Sequence, residues 1–247
     1  MNVLFPGGLN TSLYLDVNRF ARSTIWAHGF MNAYALWLGL LLLGALLVGL
    51  YVVAWWLRLP RVSVFLLLSV VGIPVALGIA LAVSHATKEL RPYVTHPNVL
   101  VLADRARDYA FPSDHATMAG VLLASTLFAL VLLRAPRTRA SSATTPAPGS
   151  VRGGLTGRRV TTLGVLALVL SLLICFGRVY VGAHYPGDVV AGLLLGALVV
   201  ALLSLLRPIS DRVADRLVAS AAGTLLRRPP ADLGTGERES LLRNGSG

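Results

Sequence analysis

Five stretches of this 247-residue chain carry enough consecutive apolar residues, at or close to the roughly 20 needed, to cross the hydrocarbon core of a bilayer. We place them at Met31–Leu57, Val62–Val83, Thr117–Leu133, Val160–Phe176 and Val189–Leu206. A segment in lipid must satisfy its own backbone hydrogen bonds, so each is expected to be a helix. Charged residues make up 13% of the chain, about half the share in soluble domains. The sequence therefore predicts an all-α, polytopic membrane helix bundle and argues against a water-soluble enzyme.

The regions around these spans differ in composition. Residues 1–30 mix apolar and charged side chains and are expected to form an N-terminal interfacial amphipathic helix. Residues 31–207 form the predicted transmembrane domain, within which residues 134–159 have the small and polar composition of a flexible cytoplasmic linker. The basic tail, residues 208–247, is expected to begin with a short amphipathic helix and to be disordered beyond about Pro229.

The distribution of positive charge predicts the orientation in the membrane. Of the 22 Lys and Arg residues, 15 lie on the face that holds the linker and the tail, and seven lie on the other face. Because cytoplasmic loops carry the excess of positive charge, the C-terminus is predicted to be cytoplasmic and the opposite face extracytoplasmic. The net charge of +11 does not indicate nucleic-acid binding, since no nucleic-acid motif accompanies it. A multi-pass protein of the plasma membrane is expected, with the bilayer as its partner.

Two outer loops of the predicted bundle contain polar residues that a mere connection does not need. The first contains Lys88, Arg91, Ser113 and His115, and the second contains Arg178, His184 and Asp188. Guanidinium groups suit phosphate oxygens, a neutral imidazole can attack phosphorus, and a protonated imidazole can donate to a leaving oxygen. If Pro186 begins the fifth helix, the Asp188 carboxylate can turn back toward the ring of His184 and orient it. This inventory indicates a phosphate site.

The same residues do not indicate a metal or cofactor site. Neither the histidines nor the carboxylates show the usual zinc spacing, and clustered arginines would repel a cation. The single Cys175 can form neither an internal disulfide nor a cysteine cluster. The chemistry above needs no cofactor.

The order Arg-Pro, then Pro-Ser-x-His, then Arg-x5-His-x3-Asp resembles the type 2 phosphatidic acid phosphatase family, most closely its bacterial undecaprenyl-diphosphatase members. These membrane enzymes remove phosphate from lipid phosphates and diphosphates through a phosphohistidine. The resemblance implies that His184 is the nucleophile, Asp188 its orienting partner and His115 the general acid. It also implies phosphate-binding roles for Arg91, Arg178 and Ser113.

This sequence departs from the family pattern at two positions. The family has a lysine where Ser84 stands, so either Lys88 reaches the phosphate from a shortened loop or that cation is missing. Gly177 precedes Arg178 where the family usually has serine. Taken alone, Arg91-Pro92 is more typical of an interface anchor, and Pro-Ser-x-His of a helix cap. The three motifs in order, on one predicted face, favour a function.

The resemblance and the predicted orientation together suggest a substrate. They imply hydrolysis of undecaprenyl diphosphate to the monophosphate, with the lipid entering sideways from the bilayer. Phosphatidic acid and phosphatidylglycerophosphate are alternatives within the same chemistry. A different class, a non-catalytic lipid-phosphate binder or transport protein, stays open on the residues alone. The charged run from Asp104 to Asp108 is expected to be a solvated loop, His85 is given no role, and no oligomeric state is indicated.

Overall fold

A computed structural model describes residues 8–134 and 155–226 of the chain, and within these ranges the protein is helical and contains no strand. The helices are α1 (Leu9–Ser23), α2 (Ile25–Trp56), α3 (Pro60–Thr87), α4 (Pro92–Thr95), α5 (Asp114–Arg134), α6 (Gly157–Tyr180), α7 (Pro186–Ser204) and α8 (Arg207–Leu226). Helices α2, α3, α5, α6 and α7 are long and apolar enough to span a membrane. The predicted all-α bundle with five spans is confirmed.

The spanning helices extend beyond their predicted apolar cores at one end of the bundle. Helix α5 begins at Asp114 rather than Thr117, α6 ends at Tyr180 rather than Phe176, and α7 begins at Pro186 rather than Val189. Hydropathy marks only the part of a helix that faces lipid, whereas backbone hydrogen bonding continues into polar residues. The apolar boundaries predict that His115, Arg178 and Asp188 lie in loops. In the structure all three lie on helical turns.

Helix α5 is the centre of the bundle, since 67% of its apolar stretch is buried, against 22–39% for the other spanning helices. It approaches α7 through glycines. A Cβ atom at Gly192 would lie 2.5 Å from the carbonyl oxygen of Ser113, and one at Gly196 would lie 2.1 Å from that of Thr117. Small residues that let backbones approach are typical of membrane helix packing. This contact places the first turn of α5 beside the first turn of α7.

Helix α1 packs against the same end of the bundle. Asn10, Tyr14 and Asn18 are buried on one face of α1, while Leu13 and Phe20 are exposed on its other faces. The helix itself was expected, but it ends at Ser23, and the first spanning helix then begins at Ile25, earlier than predicted. Its location at the membrane interface stays a prediction.

The tail and the linker are described only in part. Helix α8 continues the chain to Leu226, and Arg61 at the start of α3 forms an ion pair of 2.9 Å with Asp215 of α8. Residues 135–154 of the predicted linker, and the tail segment predicted to be disordered, lie outside the described residues.

Candidate active site

A cavity of about 900 Å³ lies at the end of the bundle where α5 begins. Arg91, His115 and His184 all line it, although they are far apart in the sequence. His115 comes from the first turn of α5, and His184 from the short segment between α6 and α7. Both imidazoles predicted from the sequence motifs therefore share one hollow with a guanidinium group.

The buried ring of His184 is held in one orientation. Its Nδ1 lies 2.9 Å from the carbonyl oxygen of Ala110, which only an N–H can satisfy, so the proton is on Nδ1 and Nε2 carries the lone pair. Arg91 Nη1 lies 3.3 Å from that Nε2. Burial lowers the pKa of His184 well below its ordinary value near 6.5, and the charges of Arg178 and Arg91 lower it further. The imidazole is therefore neutral at physiological pH, the state that a nucleophile requires.

Asp188 lies beside this ring but is not its nearest hydrogen-bond acceptor. Its Oδ2 is 3.5 Å from His184 Nδ1 and accepts the backbone N–H of Tyr185 at 2.9 Å, closing the first turn of α7. The carboxylate is 1% exposed, and within the described part of the chain its Oδ1 has no hydrogen-bond partner. The direct acceptor is the backbone carbonyl of Ala110, which sequence reasoning missed because a carbonyl has no residue signature.

Two buried donor groups next to the cavity are unpartnered. Arg178 is 5% exposed, and neither its Nε nor its Nη1 has a hydrogen-bond partner among the residues that the structure describes. The Oγ of Ser113 is buried and equally without a partner, while the Ser113 N–H donates to the carbonyl of Asp188 at 3.0 Å. Burying a guanidinium without acceptors is costly, and an anionic ligand would supply the missing acceptors. The arrangement fits a tetrahedral phosphoryl group.

Arg91 is held by Asp108, a carboxylate of the charged run for which the sequence predicts a solvated loop. Its Nε and Nη2 lie 2.9 and 2.8 Å from Asp108 Oδ1, and its Nη1 donates to the carbonyl of Ala183 at 3.2 Å. The Asp108 side chain is 58% exposed, so the pair stands at the water-facing rim of the cavity. An acidic residue shortly before the Pro-Ser-x-His motif was the only available signal.

The structure does not bring Lys88 to the cavity. Lys88 is exposed, follows the last residue of α3 in a left-handed conformation (φ 50°) and is not among the residues that line the hollow. Ser84, at the position of the family's lysine, lines the cavity instead, and so does His85, whose ring meets Tyr109 edge-on at 6.0 Å. His85 is thus a cavity residue that no sequence motif indicates.

The cavity also has an apolar side. Leu77 and Leu81 of α3 and Met118 of α5 line it, and Leu81 is 59% exposed on the outside of the bundle. Polar donors at one end and hydrocarbon at the other match the two ends of a lipid phosphate. Within the part of the chain described, no group of three His, Cys, Asp or Glu side chains forms a candidate metal site.

Comparison with known proteins identifies a family. The sequence pattern of the PAP2 superfamily matches residues 63–211, more than half of the chain. A protein of Sulfolobus acidocaldarius named undecaprenyl-diphosphatase is 26% identical over 140 residues, 57% of this chain and 52% of that protein. The undecaprenyl-diphosphatase BcrC of Bacillus subtilis is 31% identical over 150 residues, covering 57% and 58% of the two chains. The match therefore spans little more than half the length of either relative.

Two further proteins are similar to this chain. The bacitracin transport permease protein BcrC of Bacillus licheniformis is 28% identical over 188 residues, 76% of this chain and 77% of that protein. Among solved structures, a PAP2-type phosphatidylglycerolphosphate phosphatase from Bacillus subtilis aligns over 80% of this chain and 95% of its own, with a TM-score of 0.41 and 17% identity.

Proposed function

The chain belongs to the PAP2 superfamily, and on that premise we propose that it is a membrane phosphatase that hydrolyses undecaprenyl diphosphate to undecaprenyl phosphate and inorganic phosphate. One observation carries this proposal. The unpartnered donors of Arg178 and Ser113 are buried in the same site as a neutral His184. The cavity that His184 lines is also lined by apolar side chains. Anion donors, a nucleophile and a place for hydrocarbon are together what a lipid phosphatase needs.

In the first step, Nε2 of His184 attacks the terminal phosphorus. The N–P bond forms while the bridging P–O bond breaks, and the electron pair of that bond goes to the oxygen of the departing lipid phosphate. His115 donates a proton to this oxygen. Arg91 and Arg178 neutralise charge on the transferred phosphoryl group, which is the main source of catalysis in phosphoryl transfer.

In the second step, water attacks the phosphorus of the phosphohistidine. His115, now neutral, takes a proton from the water, the N–P bond breaks, and inorganic phosphate leaves. While Nε2 of His184 carries the phosphoryl group and Nδ1 keeps its proton, the imidazole ring is positively charged. The carbonyl of Ala110, 2.9 Å from Nδ1, and the carboxylate of Asp188, 3.5 Å away, stabilise that charge.

The choice of a diphosphate is supported by the water-facing rim of the cavity. Arg107, an exposed cation, lines the cavity together with His85 and can neutralise a second phosphate. A lipid phosphate is also a better leaving group than an alkoxide, since its second pKa is about 6. Two of the relatives above are named undecaprenyl-diphosphatase, which agrees with this substrate class.

We place the site on the extracytoplasmic side of the plasma membrane, with the C-terminus in the cytoplasm. The support is the excess of Lys and Arg, 15 of 22, on the opposite face. A cysteine introduced at Asp104 should react with an impermeant thiol reagent in intact cells, and one at Ser142 only after lysis, in a background where Cys175 is replaced by alanine. The reverse pattern of labelling would overturn this orientation.

The function is tested with purified protein in detergent containing EDTA, supplied separately with polyprenyl diphosphate, phosphatidic acid and phosphatidylglycerophosphate. We expect the highest kcat/KM with the diphosphate and acid-labile phosphate trapped on His184. His184→Ala should lose both the turnover and the trapped phosphate. His28→Gln should keep both, because His28 lies outside the cavity.

Each arm of this assay can contradict the proposal. Higher kcat/KM with phosphatidic acid or phosphatidylglycerophosphate would replace the substrate. Binding without turnover by the wild-type protein would favour a lipid-phosphate binder or transporter. Undiminished turnover by His184→Ala would overturn the mechanism.

A further inference from the structure

Helix α1 contacts the chain on both sides of His184. The Oδ1 atom of Asn10 accepts the backbone N–H of Gly187 at 2.8 Å, across 177 residues of sequence. The hydroxyl of Tyr14 donates to the carbonyl of Gly182 at 3.4 Å, and its ring packs edge-on against Tyr185 at 5.2 Å. Helix α1 therefore binds the backbone two residues before His184, at Gly182, and three residues after it, at Gly187.

A second residue of α1, Asn18, binds the segment around Leu100, which packs against the segment around His184. The amide of Asn18 donates to the carbonyl of Leu100 at 2.7 Å and accepts its N–H at 3.0 Å. That carbonyl in turn lies against Gly182, where a Cβ would approach it to 2.5 Å and where φ is +80°. Two residues further on, the N–H of Leu102 donates to the carbonyl of Val181 at 2.9 Å. Helix α1, the segment around Leu100 and the segment around His184 are thus joined by hydrogen bonds.

The pattern of burial on α1 is unusual for a helix that only lies on a membrane. Such a helix buries its apolar face and leaves its polar face to water. Here Asn10 and Asn18 are each 3% exposed, so two polar side chains of α1 face the protein and not water. Buried amides are retained where their hydrogen bonds specify an arrangement, because each would otherwise be costly.

We propose that α1 is a positioning element of the active site, with Asn10 as its principal positioning residue. Residues 9–23 lie outside the stretch that matches the PAP2 superfamily, so the family pattern assigns them no part in the site. By fixing Gly182 and Gly187, α1 holds Nε2 of His184 in line with a phosphate on Arg178. A misplacement of about 1 Å in such a site can cost on the order of 100-fold in rate.

The test compares Asn10→Ala with Ser12→Ala, since Ser12 is exposed and its hydroxyl donates to the carbonyl of Leu9 in its own turn. Its activity readouts rest on the proposed function. Asn10→Ala should lower kcat about 10-fold with little change in KM, and should move the acid limb of kcat/KM toward pH 6.5 as water reaches His184. Amide exchange at Gly187 should quicken. Ser12→Ala should leave all three readouts unchanged.

A second variant guards against misfolding of the first. Tyr14→Phe keeps the ring packing and removes only the hydrogen bond to Gly182, so we expect about a threefold loss of kcat. Normal kcat and normal amide exchange in both variants would overturn the proposal, as would a lower folded fraction with an unchanged kcat per folded molecule. If wild-type protein shows no turnover, the proposed function fails while the exchange measurement still decides the role of α1.

Discussion

The cavity has two polar sides that are built differently. The buried side consists of His184, which lines the cavity, and of Ser113 and Arg178 behind it; these residues are 0–5% exposed and lie on or between helix ends. The open side consists of Arg107 and Asp108 on an irregular segment, and His85 at the end of α3, all exposed. Groups fixed by packing suit the chemical step, which demands constant geometry, whereas exposed groups adapt to what enters. We infer that the buried side carries catalysis and the open side substrate choice.

The largest effect should follow from removing the unpartnered cation of the buried side. Arg178→Gln loses the donors Nε and Nη1, and we expect kcat/KM to fall about 10³-fold for every substrate. Because a buried charge without a carboxylate partner is costly, the variant should unfold at the same or a higher temperature than the wild type. Phosphate release and thermal unfolding in detergent measure the two quantities.

The matched control is Arg105→Gln. Arg105 is exposed and stacks on Tyr93 at 5.8 Å, so its loss should change kcat/KM little. Equal losses in the two variants would mean that net positive charge, and not the buried position of Arg178, supports catalysis.

The next effect concerns Arg91, which joins the two sides by contacting both His184 and Asp108. Arg91→Gln should lower kcat/KM about 100-fold, because a phosphate donor is lost. It also removes one of the positive charges that lower the pKa of His184, so this pKa rises. Since the neutral ring is the active form, the acid limb of the pH profile of kcat/KM should move to higher pH.

Asp108→Asn provides a control of opposite sign. It keeps the guanidinium of Arg91 and removes its counter-charge, so the pKa of His184 should stay or fall, and the acid limb with it. Both variants are assayed on one substrate, whose own ionisation then contributes equally. An acid limb unmoved by Arg91→Gln would show that the charge of Arg91 does not contribute, which leaves burial and Arg178 as the main causes of the lowered pKa of His184.

The same division explains what the sequence could predict. Lipid forces long apolar helices, so the five spans were readable from hydropathy, and their polar ends were not. Side chains in ordered motifs pointed to His115 and His184, which the structure brings to one cavity. Lys88 stays outside that cavity, because it is the exposed residue that caps α3 in a left-handed conformation.

Contacts made by backbone groups, or between helices distant in the sequence, are not indicated by any sequence motif. The carbonyl of Ala110 on His184 has no sequence signature, and the contact between Asn10 and Gly187 joins residues 177 positions apart. Asp108 was assigned to a solvated run because its partner, Arg91, lies 17 positions away. The missed residues share one property, which is that only tertiary packing gives them a role.

A smaller effect should come from weakening the contact between α5 and α7, which supports the buried side. A methyl group at Gly192 would meet the carbonyl of Ser113 at 2.5 Å, so Gly192→Ala must push α7 away from α5. We expect about a 10-fold loss of kcat and a destabilisation of about 1–3 kcal/mol. Gly78→Ala on α3 is the control, because a Cβ there meets nothing within 4 Å. Full activity in Gly192→Ala would contradict the view that the α5–α7 contact sets the site geometry.

The smallest effect should be selective for substrate. Arg107→Ala removes a cation from the open side, so kcat/KM for polyprenyl diphosphate should fall about fivefold, within the range of one exposed charge-assisted contact, and that for phosphatidic acid should not. Arg105→Ala, in the same segment but not lining the cavity, should affect neither substrate. Because a lipid monophosphate has no second phosphate, the ratio of the two kcat/KM values isolates this contact from general loss of activity. Equal losses on both substrates would place Arg107 with the buried side in supporting the chemical step, and would remove the assignment of substrate choice to the open side.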